Sequence, residues 1–408
     1  MRYIHDQTRR ISHYGFLCLI GLFLLLLAAP VSASDFTLRV QSPDTGLDTS
    51  IQSIGFSASA GGWQLDFRHS KRIGKLNSFN GMDQLQLQKS FNIGTDATLN
   101  VAVGRAVNNW SLWQGDSVVL SSHAPGVDQF QYTYRQGKVS FDKIIGKLSG
   151  EDRYILAHRL SVTIGNLTGV IGESVIADGQ FAKNWINLII WPYYWTQWIA
   201  LQSDATHNNK VNANVFLQAL YENEHGFRLG GEVFIDDMPQ WVGIKQLFQI
   251  AGQIYAEIPF TSSRLSLQYS RVNNYTYAFQ VPFGDYSHHG YSLGSSWGPD
   301  NDELVITYGF PRSRIGLESI SLALRRKGEG NFGDSWEHDG YDAHRDKQFL
   351  SGIVEYTQAL YGTASYQLGP NWTMHAQWGG GPMQNAKNKA GYNKIHSEGY
   401  LEIRYHLD

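Results

Sequence analysis

Apolar residues occupy every second position over much of this chain, in segments of about ten residues. Near its end, Leu401, Ile403 and Tyr405 alternate with Glu402 and Arg404. A period of two places successive side chains on opposite faces of a β-strand. The same alternation predicts strands from Ile54, Trp63, Leu85, Leu99, Phe130, Val139 and Trp372, and near Arg153, Leu167, Asn212, Arg228, Ala251, Arg264, Asp302 and Ile320.

The short connections between these segments indicate an all-β fold built from hairpins. Gly61-Gly62 and Gln136-Gly137 each stand between two alternating segments, and such glycine turns join antiparallel neighbours. A transmembrane antiparallel up-and-down β-barrel fits this pattern, with apolar side chains facing lipid and charged side chains facing a watery lumen. The residues expected in that lumen include Asp66, Arg68, Arg135, Asp142, Glu402 and Arg404.

Two other all-β folds share the alternation. A soluble β-sandwich would bury its apolar faces against each other, and this chain is long for one sandwich. A β-propeller would show a repeat of about 40 residues, and no such period is evident. The barrel interpretation predicts about 16–18 strands, with an even number expected. The count depends on whether Phe36–Val40 is a strand and whether Phe349–Leu368 contains one strand or two.

Residues 1–33 have the order of a secretory signal peptide. Arg9 and Arg10 precede an apolar run from Phe16 to Ala29, and Val31-Ser32-Ala33 forms an A-x-A-like cleavage site. We therefore expect residues 1–33 to be removed and residues 34–408 to form the barrel. Twin-arginine export is the less favoured route, because a very apolar core follows the arginine pair.

Composition narrows the choice of protein class. The chain has 42 Gly among 408 residues, 13% aromatic residues and 17% charged residues. Its formal net charge of −3 and its lack of a basic run disfavour nucleic-acid binding. The single cysteine, Cys18, lies in the predicted signal peptide, so the remainder has no disulfide and no thiolate metal site. No segment beyond residue 33 approaches the roughly 18 apolar residues of a membrane-spanning helix, which favours a wall built from strands.

Three stretches between the predicted strands do not alternate. Ile176–Asn209 is rich in aromatic residues and too apolar for a solvated loop, so we expect it to pack on the barrel, with a lumen plug as one arrangement. Gly328–Lys347 and Gly379–Lys394 are polar and glycine-rich, and we expect them outside the cell. Long ordered loops of this kind are commonly functional.

Seven short motifs, in a fixed order between residues 150 and 335, resemble the capsule assembly Wzi family of outer-membrane proteins. They are Val170-Ile171-Gly172-Glu173, Trp191-Pro192-Tyr193-Tyr194-Trp195-Thr196-Gln197, Asn212-Ala213-Asn214, Gly231-Glu232-Val233-Phe234-Ile235-Asp236-Asp237, His289-Gly290-Tyr291-Ser292-Leu293-Gly294, Gly298-Pro299-Asp300 and Lys327-Gly328-Glu329-Gly330. Each motif is weak alone, and their order carries the resemblance. The family's barrels bind capsular polysaccharide and hold it at the cell surface, and the resemblance implies the same for this chain.

The chain departs from the family in two places. The better-known members carry an N-terminal helical plug region, whereas here only Ser34–Ser53 precede the first clear strand. The chain ends in Leu407-Asp408 rather than in the terminal Phe common to outer-membrane barrels. A helical plug is therefore not expected, while the alternating final strand still predicts a barrel.

Acidic and polar residues form the first group of candidate polysaccharide-binding residues. Glu232 and Asp236 share a strand face by period two, and Asp237 follows them. Their carboxylates suit sugar hydroxyls or Ca²⁺, and the alternative is pairing with an inward cation such as Arg228. The resembling motifs add Glu173 and Asn212 to this group.

Aromatic residues form the second group. Trp191, Tyr194 and Trp195 have rings suited to stacking on sugars, with an interfacial aromatic belt or a packed plug as the alternatives. Trp336 stands in a polar stretch, as Trp110 and Trp113 do, and all three are candidates for exposed sugar platforms.

A basic strand end completes the candidates. Arg325, followed by Arg326 and Lys327, is expected to attract an acidic polysaccharide or lipopolysaccharide phosphates. The alternative is a solvated strand end without a ligand.

Together these observations predict a monomeric barrel in the outer membrane of a diderm bacterium that binds surface or capsular polysaccharide and helps retain or assemble it. Its expected partners are the lipid bilayer, lipopolysaccharide, the polysaccharide and, during biogenesis, the barrel-assembly machinery, and neither cofactor nor metal is expected. A passive porin is the rival, and a position of Ile176–Asn209 outside the lumen would favour it. A catalytic Ser–His pair at His288 or His289 is disfavoured, because no Gly-x-Ser-x-Gly motif surrounds a serine.

Overall fold

Long strands dominate the regular structure of the protein. The computed structural model describes residues 34–44, 49–60, 62–73, 78–182, 192–193, 211–237, 249–279, 282–311, 316–332 and 349–407. The predicted signal peptide, residues 1–33, lies outside the described residues. The strands are β1 (Ser34–Asp44), β2 (Thr49–Ala60), β3 (Trp63–Ile73), β4 (Ser78–Ile93), β5 (Ala97–Ala106), β6 (Val127–Gln136), β7 (Val139–Lys147), β8 (Arg153–Ile164), β9 (Leu167–Asp178), β10 (Val211–Glu222), β11 (Arg228–Asp237), β12 (Gln249–Pro259), β13 (Arg264–Val272), β14 (Ser287–His288), β15 (Tyr291–Ser292), β16 (Asn301–Gly309), β17 (Gly316–Lys327), β18 (Glu355–Gln367), β19 (Trp372–Gln384) and β20 (Lys394–Leu407).

Helical structure is confined to single turns. These turns span Gly179–Ala182, Pro282–Gly284 and Ala386–Asn388. No helix in the described part of the chain is long and apolar enough to cross a membrane.

The sheet closes into a barrel. Apart from the small β14–β15 hairpin, the strands form one 18-stranded sheet in which each pairs antiparallel with its neighbours in the chain. β20 pairs with β19 on one side and with β1 on the other, where Ser34 lies opposite Leu407 and Gln41 opposite Tyr400. The predicted up-and-down barrel of 16–18 strands is confirmed. Phe36–Val40 belongs to β1, and Phe349–Leu368 contains one strand, β18.

The two ends of the barrel differ in their connections. One end, the short-turn end, carries tight hairpins such as those at Gly137 and Gly165, whose φ angles of 56° and 57° are favourable only for glycine and a few polar residues. Ser34 and Leu407 also lie at this end, as does the turn after Pro259. The opposite end, the long-loop end, carries the connections 107–126, 179–210, 273–300, 328–354 and 385–393.

The outer face of the barrel follows the predicted alternation. Val103, Ile171, Ile254 and Leu360 are each more than half exposed, whereas the residues that precede them on their strands, Ala102, Val170, Gln253 and Ala359, face inward and are buried. An apolar surface of this kind is stable only against lipid. The inward placement of Asp142 is confirmed, because its carboxylate accepts hydrogen bonds from Thr133 Oγ1 at 2.6 Å and Arg159 Nε at 2.8 Å.

The interior is not a watery lumen throughout, and the prediction is wrong for the half lined by β6–β13. Inward side chains of these strands, including Ile155, Ile176, Phe216 and Phe234, are buried in one apolar cluster. The cluster is completed by two segments from the long-loop end. We call residues 107–126 the first plug loop and residues 273–279 with 282–300 the second plug loop. These strands carry apolar side chains on both faces because the plug loops fold inward against them.

Candidate functional site at the long-loop end

The first plug loop is held by two tryptophans that are buried inside the barrel. The Trp110 ring packs against Phe216 at 5.6 Å between centroids and lies 4.9 Å from the guanidinium of Arg159. Trp113 stacks on Tyr255 at 5.5 Å with the rings nearly parallel. The prediction that these tryptophans are exposed sugar platforms is wrong, because their loop turns into the lumen.

Glu232 anchors the same loop through its carboxylate. It accepts hydrogen bonds from the Val118 amide at 2.5 Å, from Ser117 Oγ at 2.9 Å and from Gln218 Nε2 at 2.7 Å. The side chain is 2% exposed, so these donors come from the protein rather than from solvent. Arg228, the expected alternative partner, instead lies 2.8 Å from Glu222.

Asp236 lies four residues after Glu232, on the same face of β11, and it anchors the second plug loop. Its carboxylate accepts a hydrogen bond from the Tyr277 amide at 2.7 Å. The Tyr277 hydroxyl donates to the Val118 carbonyl at 2.6 Å, which ties the two plug loops together. Asn212 adds a bond from its Nδ2 to the Gly284 carbonyl at 3.1 Å. Asp237 lies on β11 opposite Gln249, and its side chain is outside the described residues.

His288 joins the two plug loops to the 148–152 connection. Its Nδ1 accepts from the Ser149 amide at 2.9 Å, and its Nε2 lies 3.2 Å from the Gly126 carbonyl. Burial lowers the pKa of this imidazole to about 3. With both ring nitrogens committed to backbone groups, the histidine is placed as a structural tie rather than as a catalytic base.

Two of the resembling motifs, Gly298-Pro299-Asp300 and Lys327-Gly328-Glu329-Gly330, meet in a buried hydrogen-bonded cluster around Asp300. The residue has a left-handed φ of 60°, and it is fully buried. Its carboxylate accepts from the amides of Gly330 at 3.0 Å, Leu350 at 2.6 Å and Ser351 at 3.0 Å, and from Ser351 Oγ at 2.6 Å. A Cβ at Gly328 would lie 2.0 Å from Asp300 Oδ2, so the glycine permits the approach. One carboxylate therefore holds both ends of the 328–354 connection, through Gly330 at its start and through Leu350 and Ser351 near its end.

The β19–β20 loop, residues 385–393, is a rigid and strained rim element. Asn385, Lys387 and Asn388 have φ of 52°, 61° and 54°, and each such conformation costs about 1–3 kcal/mol. Hydrogen bonds offset this strain: Asn388 Nδ2 donates to the Ile353 carbonyl at 2.7 Å, and the Lys387 amide donates to Glu355 Oε2 at 2.7 Å.

This β19–β20 loop presents charge and an aromatic ring to solvent. The side chains of Lys387, Lys389 and Tyr392 are exposed, and Tyr392 is 49% exposed. The sequence indicated Gly379–Lys394 as a loop of this kind without singling out these three residues, but its first six residues belong to β19 and Lys394 begins β20. A signal was present, since Asn-Ala-Lys-Asn-Lys-Ala-Gly-Tyr-Asn combines turn formers with lysines and a tyrosine.

Glu173 lies on the outer wall rather than in the lumen. Its Oε2 accepts from the Tyr193 amide at 2.6 Å, and the Tyr193 ring packs on His158 at 4.8 Å. The Tyr193 hydroxyl accepts a short hydrogen bond from Lys143 Nζ. The described part of Ile176–Asn209 beyond β9 therefore packs on the outside, whereas other loops plug the lumen. Trp191, Tyr194 and Trp195 lie outside the described residues, as does Trp336.

Arg325 points inward and is 8% exposed. Its guanidinium pairs with Glu303 Oε1 at 2.6 Å and stacks on Trp297 at 3.3 Å from the ring centroid. Arg325 is therefore neither a solvent-exposed strand end nor an exposed cation at the surface of the barrel. The predicted residues thus fall into separate places: plug anchors, an outer-wall contact and an inward ion pair. No group of three or more potential metal ligands occurs among the residues described.

Comparison with known proteins gives likeness of fold. Wzi, an outer-membrane protein involved in group 1 capsule assembly in Escherichia coli and a carbohydrate-binding β-barrel, superposes with a TM-score of 0.61 at 12% identity, covering 95% of this chain and 87% of Wzi. OccD3 (OpdP) of Pseudomonas aeruginosa gives 0.51 at 12% identity, covering 93% and 91%. No protein-family profile matches the chain, and no curated protein sequence matches it. The chain therefore has the fold of outer-membrane β-barrels, and its resemblance to the Wzi family rests on the motifs alone.

Proposed function

We propose that this protein is an outer-membrane barrel that binds surface or capsular polysaccharide at its long-loop end and helps retain or assemble it there, as a member of the Wzi family. The motifs support this proposal, as does the fold shared with a carbohydrate-binding barrel at a TM-score of 0.61. The protein acts without a catalytic step. It works as a monomer that contacts the bilayer and lipopolysaccharide and reaches the membrane through a cleaved signal peptide and the barrel-assembly machinery.

The observation that carries the proposal is the strained β19–β20 loop. Non-glycine residues in left-handed conformations persist only where surrounding contacts hold them, and they concentrate at ligand clamps. Here those contacts fix the backbone beneath Lys387, Lys389 and Tyr392, whose side chains are exposed. A ligand that binds these side chains orders little further chain, which lowers the entropic cost of binding.

The exposed groups select an acidic polymer. Two ammonium groups attract carboxylates of uronic or similar acids, and the tyrosine ring offers a flat face for the apolar side of a sugar ring. One such contact is weak, but a repeating polymer engages many barrels along one chain, so retention arises from avidity.

Calorimetric titration of the full-length protein in detergent tests the site. Alginate serves as the acidic polymer and dextran as the neutral one. Lys387→Asn with Lys389→Gln should weaken alginate binding severalfold and reduce its salt dependence, since asparagine keeps the left-handed turn. Tyr392→Ala should weaken binding of both polymers. Lys138→Gln, an exposed lysine in a short-turn hairpin, is the matched control.

Wild-type protein that binds neither polymer, or variants that bind alginate like wild type, would contradict the proposed site. In cells, deletion of the chain should reduce the surface polysaccharide that survives washing.

A passive porin remains the second candidate because the described part of Ile176–Asn209 beyond β9 packs outside the lumen and part of the interior is wet. Asp66 and Gln88 on the β3–β4 side and His375 and Arg404 on the β19–β20 side are inward, polar and not buried. Water therefore reaches the half of the lumen opposite the plug loops. Large steady currents through wild-type protein in planar bilayers would favour this function, and their absence would favour a binder alone.

A further inference from the structure

Two arginines and an aspartate form a charged row on the outer wall at the long-loop end. Arg271 of β13 lies opposite Asp302 of β16, and Asp302 lies opposite Arg326 of β17. Arg326 Nε donates to Asp302 Oδ1 at 2.9 Å, and the Tyr269 hydroxyl donates to Oδ2 at 3.0 Å. Two guanidinium groups face one carboxylate, so the row carries one net positive charge.

The outer wall is apolar directly next to this charged row, on its short-turn side. Next toward the short-turn end, on the same outer face, come Ile254, Leu304 and Leu324, followed by Leu322 and Leu360. Charged residues above and leucines below mark the boundary between headgroups and acyl chains on a lipid-facing wall. The arginines are therefore at the depth where lipid phosphates lie.

Two grooves run along this boundary, one on each side of Tyr269. The larger, of 790 Å³, is bordered by Leu217, Val233 and Ile254, with Gly231 and Gly252 leaving its floor bare and Arg271 at its edge. The smaller, of 320 Å³, lies between Leu304, Leu324 and Tyr356, with Arg326 at its edge. Each groove thus joins an apolar trough to one arginine.

The Arg271 side chain is held in place above its groove. Its guanidinium lies 3.7 Å from the centroid of the Phe349 ring, and its Nε donates to Asn273 Oδ1 at 3.0 Å. Stacking and a single hydrogen bond orient the planar group, which favours bidentate contact of its remaining donors with an anionic oxygen pair.

We propose that this outer-wall surface binds one molecule of a bisphosphorylated, multiply acylated glycolipid, the chemistry of the lipid A part of lipopolysaccharide. The two arginines are two strands apart, a spacing of about 10 Å, which suits two phosphates on one disaccharide better than the single phosphate of a phospholipid. The two grooves take acyl chains on either side. The inference rests on the proposed outer-membrane location with the long-loop end outward, and it is independent of polysaccharide binding.

Native mass spectrometry of the full-length protein in detergent tests the site. The probes are diphosphoryl hexa-acyl lipid A, its monophosphoryl form and phosphatidylglycerol. Arg271→Gln with Arg326→Gln should weaken diphosphoryl lipid A binding by at least about tenfold, since charge-assisted hydrogen bonds are lost. Lys89→Gln should leave it unchanged, because Lys89 lies on the outer face near the opposite end, over Trp63.

A second variant tests the groove without touching the charges. Gly252→Leu fills the larger groove, and a Cβ there meets only ordinary contact, 3.5 Å from the Glu232 carbonyl, so the barrel should still fold. It should weaken binding of both forms of lipid A. The proposal is overturned if the double arginine variant binds diphosphoryl lipid A like wild type, or if monophosphoryl lipid A or phosphatidylglycerol binds equally well. If Tyr392→Ala did not change alginate binding, the polysaccharide site would be contradicted while the lipid A measurements would stand. The two proposals can therefore be refuted independently.

Discussion

Replacing Glu232 with alanine should release part of the first plug loop from the barrel wall. The substitution removes the acceptor for three buried donors, on Val118, Ser117 and Gln218. A buried donor left without an acceptor costs about 1–3 kcal/mol. Since water can enter once the loop shifts, we take the lower end for each, a total of about 3 kcal/mol. That cost raises the population of the released loop roughly a hundredfold.

The release should be local. The Trp110 carbonyl still accepts from Arg159 Nη1 and Gln218 Nε2, both at 2.9 Å, and Tyr277 still donates to the Val118 carbonyl at 2.6 Å. Trp113 also keeps its stacking on Tyr255, so the segment between Trp113 and Val118 is the part that moves. Glu232→Gln keeps an acceptor for the Val118 amide, and its new amide group donates to Ser117 Oγ. Gln218 Nε2 loses one acceptor but keeps the Trp110 carbonyl, so this variant should release the loop much less than Glu232→Ala does.

Single-channel recording in planar bilayers and limited proteolysis measure the effect. Glu232→Ala should show larger or more frequent conductance steps and faster cleavage within the first plug loop. Glu222→Ala, at the short-turn end, controls for the loss of a carboxylate. If Glu232→Ala matches wild type in both conductance and protection of the loop, the carboxylate is not what holds the plug.

Three further predictions follow from the packing. Gly172→Ala should destabilise the barrel, because its Cβ would lie 2.2 Å from the Phe216 ring. Gly169→Ala on the same strand, with open space at its Cβ, should leave the stability unchanged. The temperature at which each variant loses its heat-modified migration in gels measures the difference. Asp300→Ala should speed proteolysis of the 328–351 region and lower the melting temperature, whereas Asp96→Ala in a short turn should change neither. Burial lowers the pKa of His288 from 6.5 to about 3, so its contribution is complete above pH 6.5 and lost as the pH falls toward 3; plug proteolysis should accelerate between pH 7.5 and 4, and His288→Gln should flatten that dependence.

The outer wall was readable from the sequence because lipid imposes one rule on every strand. Outward positions that face hydrocarbon must be apolar, so the period of two appears along the lipid-facing part of each strand. Strands β8, β9, β11 and β13 begin at the residues the pattern indicated, Arg153, Leu167, Arg228 and Arg264. Closure between β1 and β20 could not be read in the same way, since no local feature of Phe36–Val40 distinguishes a strand from a leader.

The interior was not readable because it depends on which loops fold inward. Trp110 and Trp113 were expected in solvent on account of their polar neighbours. One of those neighbours forms a local turn, since the Ser111 amide donates to Asn109 Oδ1 at 3.1 Å. Another bonds to the barrel wall, since Asn108 Nδ2 donates to Gln129 Oε1 of β6 at 2.8 Å. The polar residues of a segment therefore reflect the hydrogen bonds that they make within the protein as well as the exposure of the segment to solvent.

The candidate site was readable only in part for a similar reason. The carboxylates of Glu232 and Asp236 were found as one face of a strand, but their donors lie 114 and 41 positions away along the chain. Pairs at such separations leave no periodic trace in a single sequence. The resembling motifs located the anchors of the loops, and the exposed residues of the β19–β20 loop lie outside those motifs.

The pairing of β1 with β20 makes closure of the barrel depend on both ends of the chain. It joins residues 34–41 to residues 400–407, so nearly the whole translated chain must be present before the ring is complete. A truncated product would keep two free margins of unpaired amides and carbonyls, which hydrocarbon cannot solvate. Insertion should therefore wait for the last fourteen-residue strand, and loss of that strand should leave a curled sheet that is degraded rather than a narrower tube.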